Sequence, residues 1–142
     1  MVVDEYQAKL SERLNNLLAD HNITVEPERL LQEVLLPLSR GEDVICRRFD
    51  CSTMTLQPPV RIPYVPFQVV EGTYCMHPEL ASYYSASVFL RISDAAQRRR
   101  ILSRCPPEQA QQFFDRWIPL EQFYFHQLHP EKHCDLILDA LP

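Results

Sequence analysis

Ser87-Val88-Phe89-Leu90-Arg91-Ile92-Ser93-Asp94-Ala95-Ala96-Gln97-Arg98-Arg99-Arg100-Ile101-Leu102-Ser103-Arg104 decides how the chain is read. Residues 86–92 form a short apolar run with β-branched and aromatic members, the pattern of a buried strand. At Ser93-Asp94 the composition turns helical, and either residue can cap a helix over Asp94–Arg104. A strand running straight into a helix predicts the α/β class with a largely parallel sheet.

The pattern continues on both sides. Pro106-Pro107-Glu108 can start another helix through Phe113, Phe114, Trp117 and Leu120 toward Phe125, which Pro119 should bend or interrupt. Cys134-Asp135-Leu136-Ile137-Leu138 reads as a last strand. Upstream, Phe67-Gln68-Val69-Val70-Glu71-Gly72 suits a buried strand that delivers Glu71 at its carboxyl end, followed by a short helix from His77 to Tyr84. Val44 to Asp50 is β-like, and Pro58, Pro59, Pro63 and Pro66 then force an extended excursion. Glu26-Pro27-Glu28 opens a helix with a stripe of Leu30, Leu31, Val34, Leu35 and Leu38 that ends at Gly41, and Pro37 should kink or close its last turn. Leu10, Leu14, Leu17 and Leu18 mark an amphipathic helix that stops at Asp20-His21-Asn22. Residues 1–22 are thus an N-terminal helix and 23–142 the α/β domain.

A chain of 142 residues with 46% hydrophobic and 23% charged residues has the composition of one soluble globular domain. Its longest apolar runs fall far short of the roughly 20 residues that span a bilayer. Met1-Val2-Val3-Asp4-Glu5 lacks the basic region and apolar run of a secretory signal, so the expected location is the cytoplasm. Five cysteines without a C-x-x-C pair argue against a disulfide framework or a zinc knuckle. A net charge of −5 gives no general attraction to nucleic acid or to an anionic membrane, so any anion binding must be local.

Four groups of residues could carry chemistry. Glu71, at a strand end in an open parallel sheet, could hold a metal-bound water or a substrate hydroxyl, or merely cap a turn made by Gly72. Arg98, Arg99, Arg100 and Arg104, with Arg116 beyond, form a basic patch in which Arg100 and Arg104 are spaced i, i+4, as phosphate clamping requires. The same patch also reads as a solvated face. His126, His129 and His133 lie near Glu121 and Cys134, but Pro130 breaks any helix that would align them on zinc. Arg47-Arg48-Phe49-Asp50 with Cys51-Ser52-Thr53 offers a ring to stack a base and an acid to bind its hydroxyls, or an ordinary edge strand.

Taken in order, these strings resemble the uridine kinase-like group of P-loop phosphotransferases over about residues 23 to 139. The resemblance rests on Leu35-Leu36-Pro37-Leu38 with Gly41, Arg48-Phe49-Asp50-Cys51-Ser52-Thr53, Val70-Glu71-Gly72-Thr73-Tyr74-Cys75-Met76-His77-Pro78-Glu79-Leu80, Arg100-Ile101 with Arg104, Arg116-Trp117-Ile118-Pro119-Leu120-Glu121 with Tyr124-Phe125, and Cys134-Asp135-Leu136-Ile137. It implies a P-loop kinase-like three-layer sandwich and an ATP- and Mg2+-dependent transfer of phosphate to a nucleoside or other small hydroxyl acceptor. By the same resemblance Glu71 would lie near the magnesium and the transferred phosphate. Arg100 and Arg104, with Arg116, would belong to the lid over ATP. Arg48, Phe49, Asp50 and Tyr74 would line the acceptor pocket.

The departures concern the phosphate side. Members of the family carry a G-x-x-x-x-G-K-[ST] loop between a strand and a helix, then an acidic pair that activates the acceptor hydroxyl. This sequence has only two glycines, Gly41 and Gly72, and neither motif. The loop's N–H groups and lysine cradle the β- and γ-phosphates, which arginines alone do not reproduce. The chain is therefore expected to be inactive or incomplete as a kinase, a truncated member with exposed sheet edges suited to homo-oligomerisation. Where true uridine kinases carry a histidine, Thr53-Met54 stand, which argues against uridine itself as acceptor. The alternative is a non-catalytic nucleoside- or phosphate-binding protein, or an interaction protein.

Overall fold

The structure, a computed structural model, describes residues 27–50, 53 and 55–140; the helix expected over residues 1–22 lies outside them. Two compact units divide the chain, Val25–Tyr84 and one that holds Ser85–Pro142. The division falls inside the stretch 23–142 expected as one domain.

In the first unit a helix runs as Pro27–Leu30, a π-helical turn Leu31–Leu35 and Leu36–Ser39, together α1. The helix continues through Pro37 to Ser39. Pro37 lacks an N–H and its ring would strike the carbonyl four residues back, and the wide turn just before it, closed by Leu36 N–H on the Leu31 carbonyl, gives it room. The helix ends in a Schellman motif. Gly41, at φ +72°, donates to the Leu38 carbonyl at 3.1 Å, and Glu42 donates to the Pro37 carbonyl at 3.0 Å.

The β-like run from Val44 then folds back on itself. Strand β1 (Val44–Cys46) pairs antiparallel with β4 (Val60–Ile62), and between them β2 (Phe49–Asp50) pairs antiparallel with β3 (Thr55–Leu56). Pro58 and Pro59 cannot donate to a ladder, which is where the long hairpin is interrupted. Carboxylates hold its base. Asp43 accepts from Arg61 Nε at 2.7 Å and from the Tyr64 N–H at 2.8 Å. Glu33 of α1 accepts from the Arg47 N–H and Arg47 Nε, both at 2.9 Å, and these bonds hold its carboxyl below the usual range.

Two expectations need correction here. Residues 67–72 are not a buried strand: none of them is in β structure, and Phe67 and Val69 are 82% and 75% exposed. Pro63 and Pro66 remove two ladder donors just where pairing would have to begin. The helix expected from His77 to Tyr84 is a series of turns with one 3-10 segment, Ala81–Tyr83. Buried in this unit are Leu35, Val44, Leu80 and the imidazole of His77.

In the second unit β5 (Val88–Arg91) leads into α2 (Asp94–Arg104), whose N-cap is Ser93, its hydroxyl accepting from the Ala96 N–H at 3.3 Å. A long helix follows as Pro107–Gln112, a π-helical turn Phe113–Trp117 and Ile118–Leu128, together α3. Pro119 does not stop it, for the reason seen at Pro37: Ile118 N–H reaches back to the Phe113 carbonyl. His129 closes α3 in the left-handed region at φ 46° before Pro130. Last comes β6 (Leu136–Asp139), parallel to β5 in the register Val88↔Leu136 to Arg91↔Asp139. Asp135 accepts from the Ser87 N–H at 2.7 Å and its hydroxyl at 2.8 Å, and Asp139 accepts from Arg91 Nε at 2.6 Å. One carboxylate thus fastens each end of the parallel pair.

The class is mixed helix and strand, as expected, but the sheet is not one largely parallel layer. Among the described residues there are three two-stranded sheets, of which only β5 with β6 is parallel. Nor is β5 buried on both sides. Phe89 packs edge-on against Phe125 of α3, with ring centroids 5.3 Å apart, while Val88 and Leu90 on the opposite face are 50% and 66% exposed.

Candidate functional site

The candidate residues fall into two sets by unit. Arg48, Phe49, Asp50, Glu71 and Tyr74 lie in the first, and Arg100, Arg104 and Arg116 in the second. On the hairpin, Phe49 is 46% exposed, a ring a ligand could stack on, and Asp50 beside it faces Gln57 Nε2 at 3.5 Å. The carbonyl of Arg48 accepts from the Gln57 N–H at 2.7 Å, so the backbone before Phe49 is held firmly.

Glu71 is exposed on irregular chain, and the strand expected to deliver it is absent. Tyr74 lies in the turns that follow, its carbonyl accepting from the His77 N–H at 3.1 Å. Those turns enclose two groups that the sequence did not single out. Burial holds the His77 imidazole below its ordinary value, against the opposing charge of Glu79, and its Nδ1 accepts from the Glu79 N–H at 3.4 Å. Burial also pushes the Tyr84 hydroxyl up to about 12. Neither lay in a recognisable pattern, because burial in a turn has no sequence period.

In the second unit Arg100 and Arg104 are exposed on α2, and Arg116 lies 5.5 Å from the centroid of the Trp117 ring. Arg98 of the patch meets another helix, its guanidinium 4.1 Å from the centre of Phe114. A shallow groove of about 180 Å³ opens there between α2 and α3, lined by Asp94, Gln97, Arg98, Phe114, Ile118 and Gln122. Gln97 Nε2 donates to Glu121 at 3.4 Å, and burial holds the Glu121 carboxyl above its ordinary value despite that bond. The i, i+4 rule that pointed to Arg100 and Arg104 also relates Asp94 to Arg98, and Phe114 to Ile118 to Gln122. That spacing was the available signal for the groove.

Among the described residues no three His, Cys, Asp or Glu converge to hold a metal ion. Neither glycine can serve a phosphate loop, since Gly41 closes α1 and Gly72 stands alone among turns. The described residues thus present neither a backbone cradle for the phosphates of ATP nor a cluster of ligands for Mg2+.

Among the described residues no helix is long and apolar enough to cross a membrane. No family model matches the chain, and no curated protein matches its sequence.

Proposed function

We propose that this chain carries the acceptor-binding and lid portion of a uridine kinase-like phosphotransferase and does not transfer phosphate by itself. The observation that carries the reading is the strand–helix–strand crossover from β5 through α2 and α3 to a parallel β6, with the arginine-rich helix directly after the strand. A parallel pair joined through helices is the local unit of P-loop kinase sandwiches. On this reading Phe49 stacks the acceptor, Arg48, Asp50 and Tyr74 bind its polar groups, and Arg100, Arg104 and Arg116 form the lid. Glu71 is the magnesium-side carboxylate of the complete site. With only Gly41 and Gly72 and no loop lysine, the chain lacks the backbone cradle on which phosphoryl transfer depends.

Isothermal titration of the full chain with Mg-ATP tests the proposal. No binding is expected at micromolar concentration, and micromolar affinity would overturn the claim that the phosphate side is incomplete. A fluorescent nucleotide tests the arginines. Any residual binding is expected to vanish in the Arg100→Ala/Arg104→Ala variant, and equal binding by that variant would remove them from the lid.

A second reading, an interaction subunit, is favoured by one feature. Val88, Leu90, Leu136 and Leu138 form a two-by-two aliphatic block on the uncovered face of the parallel pair, each 44–66% exposed. Parallel sheets ordinarily have both faces covered. Light scattering after size exclusion separates the readings, since a monodisperse monomer would count against self-association.

A further inference from the structure

Two opposite charges line the groove between α2 and α3 without meeting. Asp94 and Arg98 are spaced i, i+4 on one helix, a geometry that usually yields an ion pair. Here Arg98 turns away to lie over the Phe114 ring. Among the described residues neither the Asp94 carboxylate nor the Arg98 guanidinium makes a hydrogen bond or ion pair.

The ring does more than attract the cation. With its central carbon 4.1 Å from the ring centre, the guanidinium is held against Phe114 and its N–H donors make no other contact among the described residues, so they are open to a carboxylate. The rest of the lining is suited to a small ligand. Phe114 and Ile118 supply an apolar floor, and the amides of Gln97 and Gln122 supply adaptable polar groups. The bond from Gln97 Nε2 to Glu121 fixes that amide with its oxygen available as an acceptor.

We propose that this groove binds a zwitterion of amino-acid size, its carboxylate on Arg98, its ammonium on Asp94 and its side chain against Phe114 and Ile118. A simple anion satisfies only half of the site, because the Asp94 carboxylate opposes it. A simple cation is opposed by Arg98 in the same way. A zwitterion answers both charges, and a volume of about 180 Å³ is enough for an aliphatic amino acid. None of the groove residues is among those assigned to the acceptor or the lid, and the proposal does not rest on the kinase reading.

The test is a titration of the full chain with L-leucine, followed by amide chemical shifts. For so small a ligand the expected dissociation constant is on the order of 1 mM. Shifts should be centred on Asp94, Gln97, Arg98, Phe114 and Gln122. N-acetyl-L-leucine keeps only the carboxylate and L-leucine amide only the ammonium, and each should bind about tenfold more weakly, as expected for loss of one charged contact. Arg98→Gln and Asp94→Asn should each weaken leucine by a similar factor. Both side chains are exposed, so circular dichroism should show the variants folded. The proposal is overturned if N-acetyl-L-leucine or inorganic phosphate binds as tightly as leucine, if either variant binds leucine unchanged, or if no groove residue shifts.

Discussion

Glu121 shows how one half-buried carboxylate can work against the fold at neutral pH. Burial raises its pKa above the ordinary 4.5, and the bond from Gln97 offsets only part of that. A group whose folded pKa is raised contributes stability that is present below its unfolded value and lost as pH rises through the folded one. At pH 7 the charged form is therefore held in a poor environment. Glu121→Gln keeps the shape and removes the charge, so its urea midpoint should exceed that of the parent at pH 7. The difference should shrink as pH falls and be gone below 4.5. A constant difference across that range would mean that the charge is not the cause. Individual residue types made some of this legible. Ser93 announced itself as a cap and the arginines as a patch, whereas the choice of Arg98 over its neighbours depends on where Phe114 comes to lie.

At the scale of elements, Gly41 carries the end of α1. Its φ of +72° is a conformation that other L-residues adopt only at a cost, and a methyl group there meets nothing closer than Tyr64 at 4.0 Å. Gly41→Ala should therefore destabilise the protein by about 1–2 kcal/mol through backbone strain alone. A loss of under about 0.5 kcal/mol in chemical denaturation would show that the helix end relaxes to another cap. The two long helices were legible from their apolar spacing and their proline starts. Their continuity was not, because Pro37 and Pro119 read as breaks. In each case the preceding turn widens to i→i−5 pairing, and apolar-Pro-Leu follows it, as Leu36-Pro37-Leu38 and Ile118-Pro119-Leu120. The hairpin from Val44 to Ile62 was half legible. The β-like run from Val44 identified its first strand, but prolines hid the return strand.

Across the whole molecule, the two units should respond differently to acid. His77 is buried and its pKa lowered from 6.5, chiefly by desolvation. A depressed folded pKa contributes stability that is complete above the unfolded value and is lost as pH falls from 6.5 toward the folded one. Amide hydrogen exchange, corrected for intrinsic rates, should therefore rise in residues 73–84 between pH 7.5 and 5.5 while residues 107–128 keep their protection. His77→Leu should abolish that difference, and equal loss in both segments would refute it. The division between units was not legible, since it depends on which segments close upon themselves. The hairpin does so within a few residues, whereas β5 waits for β6. Their first bond, from Ser87 to Asp135, joins residues 48 positions apart. At translation speeds of about 5–20 residues per second, a chain leaving the ribosome holds β5 single-stranded for roughly 2–10 s. Through those seconds the unpaired N–H and C=O groups of β5 are open to pairing with a neighbouring nascent chain. Successful production of this protein thus depends on what shields one four-residue strand while it waits.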